Sequence, residues 1–472
     1  MRNGALLPSV HGSVLCRPTG RRVRRGVGAL TVPMLRSSGN GFLAASRRCY
    51  AQMWTSSTFP AEQENRFKIS SFRKSADDDK HGRHVSIQWK DNTESKYHLK
   101  WLRDNCLCEA CMDQDSGQRI FRVVDSDERM SQASAASVSS NEESLSVVWT
   151  DGHESSFPSS WLRRYCYGQT AKQERRRQRQ PVLWMGNFWS SSSTSSSPAP
   201  SLDFEYDSIM NSDERRWEWL RHMSLYGLSV IRNVPTRDQE VMNVAQRTAG
   251  MIQDTIYGRS WDVKSVEKAH NIAYTAKPLH PHMDLLYYES PPGVQFLHCL
   301  EYKAVGGLNT FADGFKICEV LKEKNRKAFD TLVRVPVTYH FQDKDHWMHY
   351  RRPSIVLNDD GDIVQFNHSP IFEGPLDINF EDVEPFYSAY RELIKLARDE
   401  TFQHKLQMQA GDLVAFNNRR VLHARTAYQG PRHLQGTYVS TDEFLKHYRV
   451  LQRRFETDPS IRLGVTPKGG NY

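Results

Sequence analysis

The chain has 472 residues, 38% hydrophobic, 25% charged and 11% aromatic, a globular composition that excludes disordered, collagen-like and disulfide-knot classes and is long enough for two or three domains. No stretch approaches the roughly 18 consecutive apolar residues of a membrane span, so no membrane partner is expected. The formal charge of +8 suggests nucleic acid, but residues 1–61 hold nine arginines, no lysine and no acid, and the rest carries 54 basic against 55 acidic residues; a body this close to neutral gives no reason to expect nucleic-acid binding.

An arginine-rich, serine-containing, acid-free N-terminus is similar to a mitochondrial transit peptide, with Arg48-Cys49-Tyr50-Ala51 as a matrix-protease-like cleavage site. Residues 1–61 are therefore expected to be a targeting segment with a disordered N-terminus, and the mature protein to lie in the mitochondrial matrix. The alternative is a basic tail that stays attached.

Segments 85–106 and 145–166 match without gaps at an offset of 60 residues, pairing Trp89 with Trp149, Asp91 with Asp151, Trp101 with Trp161, Arg103 with Arg163 and Cys106 with Cys166. Each copy alternates apolar and polar residues, turns at Asp-Asn or Asp-Gly and alternates again, which is a hairpin signature. Residues 66–171 are thus expected to form a small β domain of two related hairpins, with serine-rich 131–144 as a loop. Cys106, Cys108 and Cys111 crowd into six residues, a spacing that suits a metal better than disulfides. Tetrahedral zinc then needs a fourth ligand, for which the repeat offers Cys166.

The tracts around 173–180 and 190–201 cannot bury apolar surface, so 172–201 reads as a low-complexity linker. Beyond it, 202–450 mixes patterns. Helices are predicted over 212–225, 239–253, 315–325 and 382–398, and strands over 228–234, 294–301, 335–341, 363–367, 412–417 and 433–440. The expected fold class is mainly β: a jelly roll, or double-stranded β-helix, with buttressing helices, preceded by the small zinc-binding β domain.

His282-Met283-Asp284 would place two ligands on one face of a strand. A second histidine from a distant strand could complete a facial triad, and His423 follows a β-type run ending in paired asparagines. Two neutral imidazoles and one carboxylate leave three positions open, as non-heme Fe(II) requires when it holds a bidentate co-substrate and oxygen together.

Leu297-His298-Cys299, Gly306-Gly307, Asp313-Gly314-Phe315, the asparagine-rich approach to His423 and Arg432-His433-Leu434 resemble the γ-butyrobetaine dioxygenase and trimethyllysine dioxygenase family of Fe(II)/2-oxoglutarate oxygenases. The 101–111 segment resembles the same family's zinc-binding N-terminal domain, and the match extends over 66–450. The resemblance implies Fe(II) on His282, Asp284 and His423, co-substrates 2-oxoglutarate and O2, and ascorbate as a candidate reductant. It implies that Arg432 pairs with the distal carboxylate of 2-oxoglutarate, a role suited to the planar guanidinium. Asn309 stands where the family tends to have a hydroxyl residue contacting 2-oxoglutarate, with Thr310 as its neighbour. For zinc, the resemblance assigns His153 as the fourth ligand with Cys106, Cys108 and Cys111. This is favoured over Cys166 because a ligand from the opposite hairpin ties the two copies together.

Tyr257, Trp261, Tyr274 and Tyr438 match an aromatic cage for a small trimethylammonium substrate, which aromatic faces recognise without hydrogen bonds. Asn271 and Asn367 match carboxylate-binding asparagines of γ-butyrobetaine enzymes, whereas trimethyllysine enzymes tend to have aspartate at the place of Asn271. Residues 255–259 and the presequence are more like trimethyllysine dioxygenase. The reading is hydroxylation of γ-butyrobetaine to L-carnitine, with trimethyllysine hydroxylation as the alternative; the resemblance also implies a homodimer.

Overall fold

The computed structural model describes residues 67–75, 83–189, 200–264 and 275–455. The transit-peptide expectation falls outside the described residues.

Each copy of the repeat folds as a three-stranded antiparallel sheet: Ile69–Lys74, His84–Trp89 and Glu94–His98 in the first, Ala133–Val138, Ser144–Trp149 and Glu154–Pro158 in the second. The predicted hairpins are the last two strands of each sheet. The 131–144 stretch is not simply a loop, because Ala133–Val138 pairs along Ser144–Trp149; its alanines and serines lack the apolar contrast by which a strand is read from sequence. Alternation buries Ser95 and Tyr97 while Glu94, Lys96 and His98 face out. Trp89 and Trp149 are buried in one shared core with Tyr97 and Phe157. Each indole N–H donates to the serine six residues on, Ser95 or Ser155, at 2.8 Å, so no buried donor is left unsatisfied there. The two copies clasp reciprocally: Arg163 binds Asp91 and donates to Thr93 at 2.6 Å, and Arg103 stands 3.5 Å from Asp151.

The 172–201 expectation needs correction over its described part. Gln169–Arg179 is a helix, since arginine and glutamine are good helix formers. Arg176 on it forks onto Asp362, with Nε at 2.9 and 2.7 Å from the two carboxylate oxygens. The following Val182-Leu183-Trp184-Met185 supplies apolar surface between the polar tracts. Trp184 is buried, with its indole N–H on the carbonyl of Tyr226 at 2.8 Å.

The second unit is built on two sheets. One runs Asp203–Glu205, Leu228–Arg232, Leu413–Asn417, Val294–Tyr302, Arg432–Val439, Trp261–Val263, and the other Leu279–His282, Val421–Arg425, Asn309–Asp313, Gln403–Leu406. Pairing is antiparallel except between the first two strands of the larger sheet. Leu228, Val230, Leu297, Val414 and Phe416 of the larger sheet meet Phe311, Leu406 and Val421 of the smaller in one core. The outer face of the larger sheet is covered by the helices Asp213–Tyr226, Glu240–Thr248 and Thr441–Phe455. The helices Gly314–Lys324, Arg326–Arg334 and Phe380–Arg398 pack beside the smaller. Helix, sheet, sheet, helix is the buttressed jelly roll that the sequence predicts. The predicted helix over 239–253 ends early at Thr248, where Gly250 adopts φ +108°.

Candidate metal and substrate site

His282 and His423 are register partners on adjacent antiparallel strands, their ring centroids 4.2 Å apart. His282 Nδ1 donates to the carbonyl of His280, two residues back, at 2.8 Å, which leaves Nε2 to face Asp284. The strand ends at His282, and Asp284 lies just past it rather than on it as expected; Leu285, at φ +61°, turns the chain away. Asp284 still faces both imidazoles, with Oδ1 at 3.4 Å from His282 Nε2 and 3.7 Å from His423 Nε2. Its position is held from behind: Asn418, fully buried, accepts from the Asp284 N–H at 2.9 Å and donates to its carbonyl at 3.0 Å. The ligand atoms of the three residues lie within 4.8 Å of one another.

Protonation suits a metal. Burial, reinforced by His282, holds His423 down to about 3, so its imidazole is neutral. Burial opposes ionisation of Asp284, but the two imidazoles and the Tyr438 hydroxyl outweigh it and hold the carboxyl below the usual range. Two neutral nitrogens and one carboxylate oxygen on one side of a site are the donor set for octahedral Fe(II).

Arg432 is buried, and one Nη donates to Asn309 Oδ1 at 3.0 Å. Its Nε and other Nη, and the Asn309 side-chain amide nitrogen, are buried without a partner. Buried unpartnered donors are costly; a carboxylate there satisfies them together. Asn309 pairs in register with Arg425, two residues along the strand from His423, a step of about 7 Å. Thr310 alternates to the other face of the strand, so Asn309 is the residue that meets Arg432.

Trp261 stacks on Tyr438 with centroids 4.0 Å apart and planes at 26°. Gly436 makes room, since a Cβ there would sit 2.5 Å from the indole. The Tyr438 hydroxyl donates to Asp284 Oδ2 at 2.7 Å, joining the aromatic wall to the triad. Tyr257 meets Tyr287, hydroxyl to hydroxyl at 3.2 Å. Tyr287 is a wall residue that sequence reasoning missed, its only signal being a position three residues after Asp284. Asn418 was also missed as a brace, although it belongs to the asparagine pair before His423. Asn271 and Tyr274 lie outside the described residues. Asn367 requires correction: it is fully buried, its amide donates to the Pro353 carbonyl at 2.8 Å and its Oδ1 accepts from Gln365 at 2.7 Å. A side chain so engaged braces its turn and is not offered to a substrate carboxylate.

In the first unit His153 Nε2 lies 3.3, 3.6 and 3.7 Å from the sulfurs of Cys106, Cys108 and Cys111. Cys166 is elsewhere, its sulfur 3.3 Å from Ser95, and the side chains that gather are Cys106, Cys108, Cys111 and His153. Burial pushes the Cys106 thiol up to about 12, and three sulfurs gathered around one imidazole fit a tetrahedral dication that displaces the thiol protons.

A jelly roll carrying two histidines, a carboxylate and a buried arginine with unpaired donors defines a class: the non-heme Fe(II), 2-oxoglutarate-dependent dioxygenases. A family model described as "Taurine catabolism dioxygenase TauD, TfdA family" matches residues 191–438. A second, "Gamma-butyrobetaine hydroxylase-like, N-terminal", matches 77–139 and 136–221, each stretch containing one copy of the repeat. The γ-butyrobetaine dioxygenase of Pseudomonas sp. strain AK-1 is 35% identical, over 78% of this chain and 94% of that protein. The human γ-butyrobetaine dioxygenase is 30% identical, over 79% and 95%. The mitochondrial trimethyllysine dioxygenase of Gallus gallus is 28% identical, over 79% and 87%. The chain belongs to the TauD/TfdA family of dioxygenases.

Proposed function

We propose that this enzyme hydroxylates γ-butyrobetaine to L-carnitine with 2-oxoglutarate and O2, on Fe(II) held by His282, Asp284 and His423. The observation that carries the reading is the Tyr438 hydroxyl on Asp284, which puts the aromatic wall directly against the triad. Iron bound there supplies oxygen activation coupled to decarboxylation of 2-oxoglutarate to succinate and CO2. Arg432 and Asn309 offer their unpaired donors to the distal carboxylate of 2-oxoglutarate. Tyr257, Trp261 and Tyr438 form the aromatic wall proposed for the trimethylammonium, whose positive charge is attracted by the negative face of an aromatic ring, and Tyr274 is the expected fourth member. Asn271 is proposed for the substrate carboxylate, without help from Asn367.

Zinc on Cys106, Cys108, Cys111 and His153 is structural in this reading, since four protein ligands leave no open position. Matrix localisation and a homodimer complete it; relatives named as mitochondrial support the former. Purified protein with Fe(II) and 2-oxoglutarate, offered γ-butyrobetaine and trimethyllysine together, is expected to give carnitine as the main product by mass spectrometry. Formation of 3-hydroxytrimethyllysine alone overturns the substrate and leaves the metal assignment standing.

A further inference from the structure

The 60-residue offset maps the cysteine cluster onto a second location. Cys166, Gly168 and Ala171 correspond to Cys106, Cys108 and Cys111, and Thr93 corresponds to His153. All four counterparts line one cavity of about 380 Å³. Glycine, alanine and threonine in place of two thiols and an imidazole leave no zinc set there, and the smaller side chains leave room.

Positive charge surrounds that room. Lys96, Arg163, Arg164 and Arg175 line it against Glu94 and Glu174. Arg163 is engaged by Asp91 and Thr93. Arg175 makes no ion pair among the described residues, and burial disfavours its charge, a cost that an anion would offset. The helix Gln169–Arg179 begins at the cavity wall: Gly168 is its N-cap, no side chain caps it, and Gln169, Thr170 and Ala171 of its first turn line the space. Free first-turn amides, the positive end of a helix dipole and a half-buried arginine together bind oxyanions.

We propose that this cavity, at the pseudosymmetric counterpart of the cysteine cluster, is a binding pocket for a small organic anion bearing phosphate or carboxylate. Its volume exceeds that of a bare ion and falls in the range of small-molecule sites.

Calorimetric titration of the full chain with inorganic phosphate and with citrate tests this. Thr170→Glu places a carboxylate in the first helical turn, where the dipole tolerates it, so the variant keeps its melting temperature while filling the pocket with its own anion. Wild type is expected to bind at least one probe saturably; Arg175→Ala weakens binding tenfold or more and Thr170→Glu abolishes it. Response to phosphate alone assigns a phosphate ligand, and response to citrate alone a carboxylate. Neither substitution touches Arg432, so binding at the co-substrate site would survive both. Binding unaffected by the two variants, or no saturable binding of either probe to wild type, overturns the proposal.

Discussion

Tyr438 stacks its ring on Trp261 and lends its hydroxyl to the Asp284 oxygen that faces away from the histidines, so one side chain serves the cation wall and the metal ligand. Tyr438→Phe separates the two tasks. The ring stays, so the KM for substrate should change little. Metal affinity or kcat should fall about 10–100-fold, as is usual when a partner behind a ligand is lost. A variant with unchanged kcat and iron affinity would show that the hydroxyl does not orient Asp284. The triad residues and Arg432 were legible because their side-chain types are scarce in such company. Asn418 and Asn367 were not, since an asparagine reads the same in sequence whether its amide faces a ligand or a backbone carbonyl. Only the hydrogen-bond partners distinguish them: Asp284, 134 residues from Asn418, and Pro353, 14 residues from Asn367.

Among the elements, the repeat was read correctly where alternation was strong and missed where side chains were small, as in Ala133–Val138. The short strands Asn309–Asp313 and Val421–Arg425, on which half the site stands, are five residues each and carry no period long enough to read. They become strands by pairing with each other in the sheet. The Asp313-Gly314-Phe315 motif has a structural reason: Asp313 caps the following helix and grips buried Arg420 at 2.7 Å, and a Cβ on Gly314 would meet Phe366 at 2.2 Å. The repeat also makes a prediction about metal content. Cys108→Ser should release zinc and lower the melting temperature of the first unit. The triple variant Thr93→His, Gly168→Cys, Ala171→Cys should raise zinc from one to two equivalents per chain, because a Cβ at position 168 lies 3.7 Å from the Cys166 sulfur. Elemental analysis reads both; an unchanged content in either would contradict the cluster's assignment or its symmetry.

For the whole molecule, the cysteine cluster and the triad sit in different folded units, so Asp284→Ala should abolish turnover without changing zinc content. Stability should depend on pH through buried neutral histidines. Burial holds His222 and His298 down to about 4 and His368 to about 3. Below the ordinary value near 6.5 the unfolded chain takes up protons that the folded chain refuses. Stability is therefore full above that value and lost as pH falls toward 4, by up to about 1.4 kcal/mol per pH unit for each histidine. The urea midpoint should drop between pH 7 and pH 5, and one that stays level would show that these histidines titrate normally. The central claim, that this site hydroxylates γ-butyrobetaine with O2 while 2-oxoglutarate is decarboxylated to succinate, is tested most directly by turnover under heavy-isotope O2 with mass spectrometry of both products. One heavy oxygen in carnitine and one in succinate, in equal amounts, is the expected result; carnitine carrying only solvent oxygen, or succinate forming with γ-butyrobetaine left unhydroxylated, would contradict it.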